Sequence, residues 1–273
     1  MKRFASRQIA VLAVQLKQNL QAASRRQDEE AIHKMRVSIR RYVQSLVMFE
    51  DYLPPGRSKK VWKQLRPLLR RSSKVRDLDV AILFLKKHRE DAGVLVKRRE
   101  KAVSKLADAL SSGNWQSRLD WSDEKAPVSK VVSVREHVRE KLPPLAADFF
   151  AAGRKAMKPK RTWAEMHDFR LAAKQFRYTL ELFRPVFGKL LEKRLEAVRE
   201  LQQFLGDIND AVSSRKLLKE VEDADSLREK LSEKAQSKRK ELVSYWAGVF
   251  DAPGELEKWE NYLKMQQKVR ARS

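Results

Sequence analysis

HKMRVSIRRYVQSLVMF, residues 33–49, is the stretch on which the reading of this chain turns. At 3.6 residues per turn, Ile32, Met35, Ile39, Val43 and Leu46 fall on one apolar stripe, and His33, Arg36 and Arg40 form a second stripe beside it. The charges of an ordinary amphipathic helix lie opposite the core and keep that face wet. Here the cations border the apolar stripe, where packing would hold them, and a held cation can recognise an anion.

The pattern returns 134 residues later as HDFRLAAKQFRYTLELF, residues 167–183. His33 matches His167, Arg36 matches Arg170, Arg40 matches Lys174 and Phe49 matches Phe183. The apolar stripe repeats as Met166, Phe169, Ala173, Phe176 and Leu180. A second block follows each copy: LRPLLRRSSKVRDLDV, residues 65–80, pairs with VRELQQFLGDINDAV, residues 198–212, and Asp77 matches Asp210. Two blocks in the same order at nearly equal separation indicate a duplicated unit.

Composition agrees with a helical reading. Eight glycines and nine prolines in 273 residues leave few turns for a sheet, and 42% hydrophobic residues can fill a core. The expected fold is all-α: a duplicated unit forming two four-helix bundles, related by approximate twofold symmetry around a central basic cavity. Repeat one is expected over about 1–113, a linker over about 114–127, repeat two over about 128–247, and a helical appendage over 248–273. No cysteine is present, which excludes disulfides and thiol chemistry. The amino terminus reads as a first helix rather than a secretory leader, because Gln15, Lys17 and Gln18 interrupt the apolar run. No run approaches the ~20 apolar residues of a membrane-spanning helix, so no membrane partner is expected.

In chain order, the reading predicts helices over about 3–23 and up to about 52, the second halted by Pro54-Pro55-Gly56. A third helix opens at Arg57 with Trp62, Leu65, Leu69 and Ser72 as its apolar stripe. Pro67 predicts a kink or a late start there. A fourth runs over about 79–110 with a break at Gly93. In the second half Pro143-Pro144 predicts a bent or split helix, and separate helices follow over about 189–205 and 207–247. The aromatics of the appendage are expected to dock onto the body.

Charge narrows the function. With 60 Lys plus Arg against 36 Asp plus Glu, the formal charge is +24, a self-repulsion that calls for an acidic partner. From His33 to Arg76 thirteen basic residues face two acids, Glu50 and Asp51. Asp77, Asp79, Asp207 and Asp210 lie in helical context beside arginines, where a carboxylate orients a guanidinium. A metal-assisted reaction at these acids is the weaker reading. There is no phosphate-binding GxxxxGK[ST] loop and no HExxH.

HxxRxxxRR with its terminal Phe, RDLDV, HxxRxxxKxFRYxLELF and LGDIND together resemble the CHAD family, the conserved histidine alpha-helical domain, over about residues 5–247. The first block departs from the family pattern, with Ser72-Ser73 where a Leu-Gly pair is usual. The resemblance implies a non-catalytic module that binds inorganic polyphosphate, without cofactor or metal. No ExExK strand signature of the triphosphate tunnel domain found in some relatives is present, so the likeness is to stand-alone members. The expected location is the cytoplasm, at polyphosphate granules. The ligand-binding residues are expected to be His33, Arg36, Arg40, Arg41, Lys63, Arg66, Arg70, Lys74 and Arg76 in the first repeat, and His167, Arg170, Lys174 and Arg177 in the second. Asp77, Asp79, Asp207 and Asp210 are expected to brace them. The paired change Arg36→Ala and Arg170→Ala is expected to weaken binding with little effect on melting temperature. Nucleic acid is the second candidate partner: Tyr42, Phe176, Tyr178 and several Trp could stack on bases, but most sit on apolar stripes at helical spacing and read better as core. A metal-dependent phosphohydrolase is the third reading.

Overall fold

The computed structural model describes residues 1–112, 119 and 132–264, and every described element is helical. The expected linker over 114–127 lies, but for Leu119, outside the described residues, as do the terminal cations Lys268, Arg270 and Arg272. The chain groups into two compact units. One comprises Lys2–Ser129 with Asp210–Lys234; the other comprises Met1, Lys130–Asn209 and Ala235–Ser273. They are called the amino-terminal and carboxy-terminal units below.

The amino-terminal unit is built on four helices: α1 (Lys2–Arg26), α2 (Glu29–Met48), α3 (Arg57–Lys87) and α4 (Gly93–Ser111). Each packs on the next and α4 closes back on α1, which makes a four-helix ring. Helix α1 buries Ala5, Ile9, Ala13, Leu16, Leu20 and Ala23, at spacings of three or four that keep one stripe inward. Val14, an apolar residue of the same helix, is 54% exposed.

Helix α2 begins at Asp28, whose side chain accepts from the Ala31 amide at 2.7 Å. That amide hydrogen bond holds the Asp28 carboxyl below its ordinary range. Ile32, Met35, Ile39 and Leu46 are buried as their spacing requires, while Tyr42 rather than Val43 completes the stripe. The helix ends at Met48, and a 3-10 turn over Glu50–Tyr52 carries the chain to the prolines.

Two expected helix boundaries are absent because one buried stripe passes through each of them. Helix α3 contains Pro67 and runs on through the RDLDV block, so Asp79 does not open a new helix. Leu65, Leu68, Ser72, Val75, Leu78, Ile82 and Leu85 stay buried along its length. Trp62 is 37% exposed and Leu69 only half-buried, with Val61 and Leu68 in the core instead. In the second half, Val198, Leu201, Leu205, Ile208 and Ala211 continue α8 (Leu190–Leu217) straight across Gly206 and Asp207. The real break falls at Val221–Ala224, where Asp223 takes a positive φ of 52°, before α9 (Asp225–Val249).

The carboxy-terminal unit includes α5 (Val134–Met157), α6 (Trp163–Leu182), the short α7 (Arg184–Phe187) and α10 (Glu255–Lys264). Helix α8 belongs to this unit up to Asn209, and α9 from Ala235 onward. Helix α5 holds Pro143 and Pro144 without splitting. Both α5 and α6 open with a capping box, Ser133 with Glu136 and Thr162 with Glu165. The core is aromatic: Phe149 stacks on Phe176 with centroids 4.5 Å apart, and Trp246 stacks on Phe250 at 5.1 Å. Gly153 makes room for this, since a Cβ there would lie 2.0 Å from the Trp246 ring. Helix α10 packs on α5 and buries Trp259 and Leu263. The Arg194 guanidinium sits 5.0 Å from the Trp259 centroid and 4.1 Å from that of Tyr262, and burial lowers its pKa.

Candidate functional site

Helix α2 places its cations unequally. His33 is exposed, Arg40 and Arg41 are half-buried, and Arg36 is buried at 9% exposure. Arg36 Nη1 donates to Ser73 Oγ at 2.7 Å, and the Leu69 carbonyl and Ser72 Oγ lie 3.4 Å away. The two serines that depart from the family pattern therefore form the cradle of this guanidinium. Arg36 is a clip between α2 and α3 as much as a bordering cation, so the Arg36→Ala half of the paired change is expected to lower the melting temperature.

Helix α3 carries the densest charge. From Arg57 to Arg76 it has nine Lys or Arg and no acid. Lys63, Arg66, Arg70 and Lys74 are exposed and, among the described residues, have no carboxylate partner. They succeed one another at spacings of three or four, and on a helix that puts consecutive ones about 5–6 Å apart at Cβ. Like charges at this spacing repel, which lowers the stability of an isolated helix by a few tenths of a kcal/mol per pair. They lie away from the buried stripe of Val61, Leu65, Leu68 and Ser72 rather than next to it.

The end of that run is braced. Arg76 donates from Nη1 to Glu29 Oε1 at 2.5 Å, and its Nη2 lies 3.7 Å from Asp210 Oδ2. Asp79, its side chain 8% exposed, pairs with Arg99 on α4, which sequence reasoning did not single out. Arg98 on α4 pairs with Glu220. Asp77 is half-buried on α3.

On α6, His167 is exposed and its Nδ1 lies 3.0 Å from Asn209 Oδ1, in the GDIND block. Arg170 and Lys174 are half-buried and border a stripe, Met166, Phe169, Ala173, Phe176 and Leu180, that is buried throughout. Arg177 is committed elsewhere: it pairs with Glu181 at 3.0 Å with both side chains mostly buried, and lies 4.8 Å from the Tyr178 ring. The i, i+4 spacing of Arg177 and Glu181 was a visible signal for that pair. Asp207 accepts from Gln203 at 3.0 Å. Tyr42, Phe176 and Tyr178 are all buried, as core positions rather than rings open to bases. Among the described residues, no three His, Asp or Glu side chains gather so as to hold a metal ion.

With this geometry in hand, comparison with known proteins decides the family. A family model described as CHAD domain matches residues 7–219. This chain belongs to the CHAD domain family. The family is linked to polyphosphate binding. Two solved structures share the fold. The CHAD domain from the plant Ricinus communis matches with a TM-score of 0.63 at 22% identity, over 96% of this chain and 91% of that one. PptA from Streptomyces chartreusis matches with a TM-score of 0.64 at 17% identity, over 95% of this chain and 99% of that one. No curated protein matches the sequence. Among the described residues, no helix is long and apolar enough to cross a membrane.

Proposed function

We propose that this CHAD domain binds inorganic polyphosphate without catalysis and that this binding directs the protein to polyphosphate stores. The observation that carries the reading is the acid-free run on α3, with Lys63, Arg66, Arg70 and Lys74 exposed and without carboxylate partners among the described residues. A linear phosphate polymer offers closely spaced charges and no bases, so its receptor needs many donors in a row and little shape discrimination. Arginine supplies bidentate forks and lysine a mobile point charge. Half-buried Arg170 and Lys174 hold on α6 the positions that Arg36 and Arg40 hold on α2. His33 and His167 stand one turn before Arg36 and Arg170 and are exposed on α2 and α6.

The bracing carboxylates fit binding better than hydrolysis. Asp210 and Asp79 each face an arginine, and Asp207 accepts from a glutamine. Incubation of the protein with long-chain polyphosphate and Mg²⁺ is expected to release no orthophosphate. Release that Asp77→Ala abolishes would make it a phosphohydrolase instead.

Competition at matched phosphate concentration, over a salt series, tests the choice of partner. Long-chain polyphosphate is expected to outcompete single- and double-stranded nucleic acid at every salt concentration. Nucleic acid winning at any salt would favour the alternative.

A further inference from the structure

Trp62 is the single exposed Phe, Tyr or Trp among the described residues, at 37% exposure. It lies on α3 within the acid-free run, three residues after Lys59, next to Lys63 and four residues before Arg66. Val61 and Leu65, rather than Trp62, occupy the fully buried stripe here. Among the described residues no ring or guanidinium covers its face. The indole keeps a little over a third of its surface in water, in the middle of a row of cations that repel one another. It does supply a flat π-face next to phosphate donors, which is what recognition of a base joined to phosphates requires.

The surroundings of the ring define the class of ligand. Arg66 is about one helical turn beyond Trp62 and Arg70 about two, roughly 6 and 12 Å along the axis. A nucleic-acid strand brings one base per phosphate and needs a platform for several of them. This face offers one platform followed by several cations, which matches one base followed by several phosphates.

We propose that the α3 face binds nucleoside 5′-polyphosphates, with the base stacked on Trp62 and the phosphate tail running along Lys63, Arg66 and Arg70. The inference rests on the reading of α3 as a phosphate-binding row and adds a second ligand to it. Inorganic polyphosphate and the nucleotide tail would then compete for the same cations. Only the nucleotide uses the ring.

The test compares ATP with inorganic tripolyphosphate, which presents a similar tail and no base, by calorimetric titration of the full chain and of Trp62→Ala. The wild type is expected to prefer ATP by about tenfold, the scale of one base stacked on an aromatic side chain. In Trp62→Ala the ratio of the two affinities falls to about one. Trp62→Phe, which keeps a smaller aromatic face, retains part of the preference and controls for damage to the helix. Equal affinities in the wild type, or a preference that survives Trp62→Ala, overturn the platform. A single-stranded oligonucleotide that gains more from Trp62 than ATP does overturns the choice of a free nucleotide. Long-chain polyphosphate binding is measured in parallel: its presence while the ATP preference is missing sinks only this inference, and its absence sinks the reading of the row itself.

Discussion

Arg76 on α3 and Asp210 on α8 lie 3.7 Å apart, and they come from the second signature block of the first and second repeats respectively. Glu29 at the start of α2 holds the other nitrogen of the same guanidinium at 2.5 Å. Arg76 is thereby fixed at the end of the unbraced row, where its charge is shared by two carboxylates. Both members of the pair are about one-third exposed, so solvent screens much of their attraction. A double-mutant cycle of Arg76→Ala and Asp210→Ala, read by urea denaturation, is expected to give a coupling of about 0.5 kcal/mol. A coupling several times larger would mean that the pair anchors the fold rather than orients a cation.

Arg36 and Arg66 should separate a structural cation from an exposed one. Arg36→Ala removes a buried guanidinium from Ser72, Ser73 and the Leu69 carbonyl, and is expected to cost about 2 kcal/mol of stability. Arg66→Ala, on the exposed face, is expected to change stability by less than about 0.5 kcal/mol. Thermal or chemical melts of the two variants check the ranking.

These two arginines also show how far the sequence could be read. Helical periodicity was enough to find the apolar stripe of α6 residue for residue, because tertiary packing there follows the 3.6 period without interruption. It misplaced Trp62, since an aromatic at the border of a stripe scores as core whether or not a neighbour covers it. Pro67, Pro143 and Gly206 were read as interruptions by their local preference, yet each helix continues through them, held by the buried residues on either side. Partners distant in sequence carry no local signal: Glu29 for Arg76, Arg99 for Asp79 and Asn209 for His167 appear only once the chain is folded. By contrast Ser133 with Glu136, and Thr162 with Glu165, are legible as S/T-x-x-E before an apolar periodic run.

Gly153 is set by the ring it faces. Gly153→Ala puts a methyl group 2.0 Å from Trp246, inside the aromatic core, and is expected to destabilise the chain by about 3 kcal/mol. Adding Trp246→Leu should recover part of that loss by opening the space. Melting of the single and double variants decides it, and a neutral Gly153→Ala would show that α5 and α9 can move apart freely.

The helix caps predict an acid-side loss of stability. Asp28, Glu136 and Glu165 are held below their ordinary ranges, chiefly by the amide groups of Ala31, Ser133 and Thr162. A carboxyl with a depressed folded-state pKa stabilises the fold fully above its unfolded value, near 4 for these groups, and loses that contribution as pH falls through the folded value. Stability measured from pH 6 down to pH 2.5 should therefore fall below about pH 4. Replacing Glu136 and Glu165 with Gln should flatten part of that fall. An unchanged profile would remove the caps from the account.

The most direct test of the central claim is a polyphosphate titration over a salt series, comparing the natural chain with one in which Lys63, Arg66, Arg70 and Lys74 are all replaced by Gln. Each phosphate contact made by a cation contributes about 0.7 to the slope of log affinity against log salt for a flexible single-stranded polyanion, so loss of four contacts should reduce the slope by about 3. Affinity should fall by orders of magnitude at low salt while helicity is retained. An unchanged slope with unchanged affinity would contradict the assignment of α3 as the binding face.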